Sequence, residues 1–169
     1  MKVYIFILLV SALISGCASN SIDLTISDKF SVTNLSEITK ITKFGDFIAI
    51  TGKNRKTLAI TENDFLDLSK DIDLSSQEFF NHIFNEDEDK STSNGKIVNE
   101  FRIGLLLDGY TSKDSISSNG VTIYIWNQVH NKFVAIAADH ESNFYLNIIG
   151  ENVDPNKIRN IVKNKEVAR

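Results

Sequence analysis

VTIYIW (121–126), KFVAIAA (132–138) and NFYLNII (143–149) are the stretches that decide the fold. Each is rich in β-branched and aromatic side chains, which suit a pleated, packed surface. Short polar loops around His130-Asn131 and His140-Glu141-Ser142 separate them. Connections of that length force neighbouring strands to run antiparallel, so the three runs predict a meander. Upstream, DFIAIT (46–51) and TLAIT (57–61) flank the polar, glycine-containing gap Gly52-Lys53-Asn54-Arg55-Lys56. That pattern predicts an N-terminal hairpin.

Between hairpin and meander the periodicity changes. Thr61 precedes Glu62-Asn63-Asp64, and Phe65, Leu66 and Leu68 follow in what reads as a short helix. Ser75-Ser76-Gln77-Glu78 has the form of a capping box, in which serine and glutamate satisfy free amides at a helix start. Phe79, Phe80, Ile83 and Phe84 then make one apolar face. In KIVNEFRIGLLL (96–107), Ile97, Phe101 and Leu105 recur every fourth residue and predict a helix. Gly104 opposes it by about 1 kcal/mol, and a strand over 102–107 is the rival. Asp108-Gly109-Tyr110 reads as the turn that ends this helix. Asp154-Pro155 supplies an N-cap and a first helical residue for a closing helix striped by Ile158, Ile161 and Val162. The stretch 30–44 fits neither period. The fold class is therefore α+β: an antiparallel sheet, made of an N-terminal hairpin plus a C-terminal three-stranded meander, with helices packed on one face.

The chain has 169 residues, 42% hydrophobic and 24% charged, which suits one globular domain with a core of its own. A single cysteine precludes an internal disulfide. With 18 basic and 22 acidic residues and no Lys/Arg run, nucleic acid is not an expected partner.

The amino terminus is the most specific signal. Met1-Lys2 is followed by a run of about twelve apolar residues from Val3 to Ile14, too short to cross a bilayer but suited to a signal peptide. The sequence Leu13-Ile14-Ser15-Gly16-Cys17 resembles the lipobox of bacterial lipoproteins. The resemblance covers residues 1–17 and implies cleavage before Cys17 and diacylglycerol on its thiol. Two or three acyl chains at one residue hold a protein on a membrane where a single chain does so only marginally. Ala18, rather than Asp, implies the outer membrane facing the periplasm in a Gram-negative source. Residues 1–16 are then the signal peptide, 17–29 a lipidated tether with the alternating Ile22, Leu24 and Ile26 able to add a strand, and 30–169 the globular domain.

No residue pattern assigns catalysis, a cofactor or a metal. The acidic run Glu86, Asp87, Glu88 and Asp89 lacks the glycine and glutamate of a calcium loop at the required places. It reads as a solvated loop able to meet a basic partner. His130 and His140 fall at opposite ends of one expected strand, too far apart for one ion. His82 sits on the polar side of its helix. Asp139-His140-Glu141 sets carboxylates beside an imidazole but has no nucleophile. No nucleophile elbow, Ser-x-x-Lys or P-loop occurs. Trp126 closes a strand, where packing explains it. The function expected is a membrane-anchored, non-enzymatic module that binds an envelope protein, such as an assembly factor or a toxin-immunity lipoprotein. The alternative is a carrier of an apolar ligand held among Phe79, Phe80, Phe84, Phe101 and Tyr124. An envelope hydrolase ranks last.

Overall fold

The computed structural model describes residues 21–87, 89–118 and 120–163. Cys17 and the signal-peptide segment lie outside the described residues, as does Glu88. Among the described residues, ten strands form two antiparallel sheets. The smaller contains β1 (Ser21–Thr25), β2 (Phe30–Ser36) and β10 (Ile161–Lys163) in the order β1-β2-β10. The larger has seven strands in the order β3-β4-β5-β9-β8-β7-β6. Its members are β3 (Ile38–Phe44), β4 (Phe47–Gly52), β5 (Thr57–Asp64), β6 (Ser112–Ser118), β7 (Val121–Gln128), β8 (Lys132–Asp139) and β9 (Phe144–Glu151).

The separate hairpin and meander are thus corrected to one sheet. The β5 strand pairs with β9 from Thr57↔Glu151 to Asp64↔Phe144 and welds the two units together. Two edge strands, β3 and β6, complete it. The segment 30–44 resolves into β2 and β3, which belong to different sheets and meet at Glu37, whose φ is 62°. One left-handed residue turns the chain from one layer to the next.

Strand parity divides the interior in two. Ile48, Ile50, Leu58, Ile60, Ile123, Ile125, Phe133, Ala135, Leu146 and Ile148 point toward the small sheet and cluster with Phe30, Val32 and Ile161. Tyr124, Trp126, Val134, Ile136, Ala138 and Tyr145 point the other way, onto the helices. Those helices are α1 (Phe65–Leu68), α2 (Ser76–Asn85) and α3 (Ser93–Gly104). The result is three layers: small sheet, large sheet, helices.

The helix starts follow from side-chain chemistry. Ser75 and Glu78 form the reciprocal capping box expected of them. The α3 helix begins earlier than 96–107 because Thr92 Oγ1 accepts from Gly95 N at 2.9 Å. A Cβ at residue 95 would lie 1.9 Å from the Asp89 carbonyl oxygen, so only glycine fits that turn. Leu106, at φ 55°, then leaves the helix and lets Leu107 reach full burial. The expected closing helix is instead a 3-10 turn, Pro155–Asn160, running straight into β10. Asp154 does cap it, accepting from Asn156 N at 2.9 Å.

Candidate interaction surfaces

Glu86, first of the acidic run, is exposed but tied to the groups around it. Its carboxylate accepts from Tyr110 Oη at 2.7 Å and from Lys113 Nζ at 3.2 Å, and Arg102 Nη2 lies 3.2 Å away. Arg102 is itself buried and donates to the Ile83 carbonyl at 2.7 Å. Burial opposes ionisation of Glu86, but the two hydrogen bonds and the charges of Arg102 and Lys113 outweigh it and hold the carboxyl below its usual range. Lys113 also donates to the Phe84 carbonyl at 2.5 Å, and Arg102 reaches Asp108 at 3.4 Å. This hub ties α2, α3 and β6 together. Asp87 bonds to His82 Nδ1 at 2.8 Å, and Asp89 accepts from Ser91 N at 2.9 Å. The run therefore shapes the α2–α3 connection, with Asp87 and Asp89 on its exposed rim. A polar cleft of about 150 Å³ opens here, lined by His82, Glu86, Lys90, Asn99, Arg102 and Asp108.

The histidines stay apart. His130 sits in the β7–β8 turn and His140 just beyond the far end of β8. Among the described residues no group of three His, Cys, Asp or Glu side chains could hold a metal ion. His140 Nδ1 does approach Ser76 Oγ, at 3.2 Å, a pairing the sequence hides because 64 residues intervene. Ser76 is only 4% exposed, however, so its oxygen has no room for a substrate. Asp139 accepts from Ser142 Oγ at 2.5 Å and from Glu141 N at 3.1 Å in the following turn. Burial lowers the His140 pKa, against the pull of Asp139. The geometry fits a neutral packed ring rather than a charge-relay system.

Phe79 and Phe80 are fully buried, and each lies within 6.2 Å of the Phe101 ring in an edge-on arrangement. Phe84 packs against Tyr124 and Trp126. These rings fill one another's space as core. An apolar slot of about 80 Å³ lies instead on the far side of the large sheet, between Leu35, Ile38, Ile50, Leu58 and Val153. Lys56, paired with Glu37, and Lys157 stand at its mouth.

Two exposed apolar groups remain. Around the β7–β8 turn, Val129 is 57% exposed, Leu106 74% and Ile149 53%. Gln128 Nε2 donates to the Leu106 carbonyl at 2.6 Å and brings Leu106 to the end of β7 next to Val129, while Ile149 lies two strands away on β9, opposite Val134. The second group follows the edges of both sheets: Ile22 on β1, Ile41 and Phe44 on β3, and Phe47 opening β4. Neither was singled out in the sequence, since a lone aliphatic carries no sign of exposure until its strand and face are known. Compared with protein-family models, curated proteins and solved structures, the chain matches none.

Proposed function

We propose that the protein is a lipid-anchored, non-enzymatic binding module of the bacterial envelope, attached through acyl chains on Cys17 and recognising another envelope protein. In a Gram-negative source it faces the periplasm from the outer membrane. The observation that carries the protein-binding reading is the aliphatic group Leu106, Val129 and Ile149, more than half exposed at each position. Aliphatic side chains left in water beside a rigid sheet gain free energy when a partner covers them, at about 25 cal/mol per Å² removed from solvent. The acidic run adds charge complementarity to a basic partner, with Asp87 and Asp89 exposed in the connection between α2 and α3 and Glu88 following Asp87 in the sequence. Glu86 contributes through the Arg102 hub that positions that connection.

A photo-crosslinker at position 106 in the membrane-attached protein tests this. A discrete protein adduct that disappears in an Ile149→Asp variant is expected. An adduct insensitive to that substitution, or none, sinks the reading. Palmitate labelling, lost in Cys17→Ser, tests the attachment separately. The slot beneath Leu35 and Leu58 favours a second reading, a carrier of a small apolar ligand, with the site opposite the phenylalanines. Native mass spectrometry decides it: a co-purifying ligand lost in Leu58→Trp is expected of a carrier.

A further inference from the structure

The two sheet edges that carry Ile22, Ile41 and Phe44 lie side by side, and Phe47 opens the strand next to one of them. Lys43 Nζ, on β3, donates to the Ile26 carbonyl just past the end of β1, at 2.8 Å. At the other end Ser21 pairs with Ser36, one residue before the Glu37 corner that opens β3. The flank thus runs from the point where the chain enters the fold to the Phe44–Phe47 turn. Six strand residues separate these ends, about 20 Å. The turn closes on Gly45-Asp46, with Gly45 at φ 57°, and it holds Phe44 84% and Phe47 42% exposed as a facing pair.

Charge is distributed unevenly along the chain. Residues 38–60 contain five basic side chains (Lys40, Lys43, Lys53, Arg55 and Lys56) against the single acid Asp46. Residues 61–100 contain eleven acids against three bases. Counting Asp23, Asp28, Lys29 and Glu37 as well, 21–60 remains positive in a protein whose overall charge is -4. Exposed phenylalanines between lysines suit an interface with an apolar interior and an anionic surface, where rings enter the acyl boundary and ammonium groups stay among phosphates.

We infer that the β1–β3 flank, with Phe44 and Phe47 at its tip and Lys40 and Lys43 along it, is a contact face for an anionic lipid bilayer. This builds on the Cys17 attachment proposed above. Three residues separate Cys17 from Ser21, and the four peptide steps reach at most about 14 Å. Acyl chains would then pin one end of the flank while the aromatic tip engages the same leaflet at the other, laying β3 along the membrane plane. The helix layer and the Leu106–Ile149 group remain on a different side, open to a partner.

The test uses the full chain carrying Phe44→Trp, reconstituted into phosphatidylglycerol/phosphatidylethanolamine vesicles whose acyl chains are brominated. The native Trp126 is fully buried and provides the internal reference. Quenching several-fold greater than in the unsubstituted protein is expected. It should fall by about half or more in phosphatidylcholine vesicles and with Lys40→Glu plus Lys43→Glu. Quenching no greater than that of Trp126 alone, or indifferent to lipid charge, overturns the inference. Shielding of residue 44 from acrylamide in native membranes but not in protein-free vesicles overturns it in favour of a protein partner. The mass of the purified chain reads acylation independently. An acylated chain with residue 44 unquenched removes the face and keeps the anchor; an unacylated chain with residue 44 quenched does the reverse.

Discussion

The two halves of the large sheet are built from similar strands and covered differently. On the helix side, β7 and β8 present Tyr124, Trp126, Val134, Ile136 and Ala138, all buried beneath α2 and α3. On the same side, β4 and β5 present Ala49, Thr51, Ala59 and Thr61, which no helix fully covers. Toward the small sheet both halves are equally aliphatic, with Ile48, Ile50, Leu58 and Ile60 matching Ile123, Ile125 and Ala135. The difference teaches that alternation records where a covering layer stops. Continuous apolar runs mark strands packed on both faces, whereas Ala and Thr at every second place mark a face left partly to solvent.

The strongest challenge to this contrast is truncation of the doubly covered half. Trp126→Ala or Phe80→Ala should lower unfolding free energy by about 3–5 kcal/mol in urea melts, because both side chains are fully buried. A loss below about 1 kcal/mol would show the aromatic layer to be loosely packed. Next comes close fit rather than size: a Cβ on Gly150 would fall 2.1 Å from the Phe133 ring. Gly150→Ala should cost about 1–3 kcal/mol, and Phe133→Leu in the same chain should recover part of it. Removing the α2 cap with Ser75→Ala should cost about 1 kcal/mol, visible as a small fall in melting temperature.

A smaller effect is set by pH. Burial holds His140 below its usual value, so the unfolded chain takes up a proton near pH 6.5 that the folded chain refuses. Stability is unaffected by this group above that pH and falls as pH drops below it, until the lowered folded value is passed. Denaturation midpoints at pH 7.5 and 5.5 should therefore differ less in His140→Gln than in the unsubstituted protein; equal differences dismiss the idea. Smallest of all, Ala49→Thr on the open face should shift stability by no more than about 0.5 kcal/mol. A larger loss would mean that this face is covered after all.

Much of the architecture was legible because it is written in side chains. The strands from 121 to 149, the capping box at Ser75 and the buried face of α2 all follow from apolar spacing and one hydrogen-bonding pair. What was hidden is carried by the backbone. Only Ile116 gives β6 (SKDSISS) any apolar character; its seven residues are a strand because β7 offers an edge to pair with. The β3 strand (ITKITKF) faces solvent along nearly its whole length, which blurs its period. Pro155 marks the start of helical turns, but only tertiary pairing with β2 ends them after six residues. The candidate surfaces were less legible still. The ties of Glu86 to Arg102 and Lys113 arise only on folding, and the exposure of Phe44 shows only once β3 is known to be an edge.

The small sheet has a consequence for how the protein is made. Its central strand, β2, lies between β1 at the front of the chain and β10 near its end, with Val32 opposite Ile161. A polypeptide that emerges amino end first presents Phe30 and Val32 long before Ile158 and Ile161 arrive to shield them. Closure of that layer waits until residues 161–163 have been made, and pairings so distant in sequence form slowly. For the exported lipoprotein proposed above, this delay keeps the chain threadable until β10 has crossed.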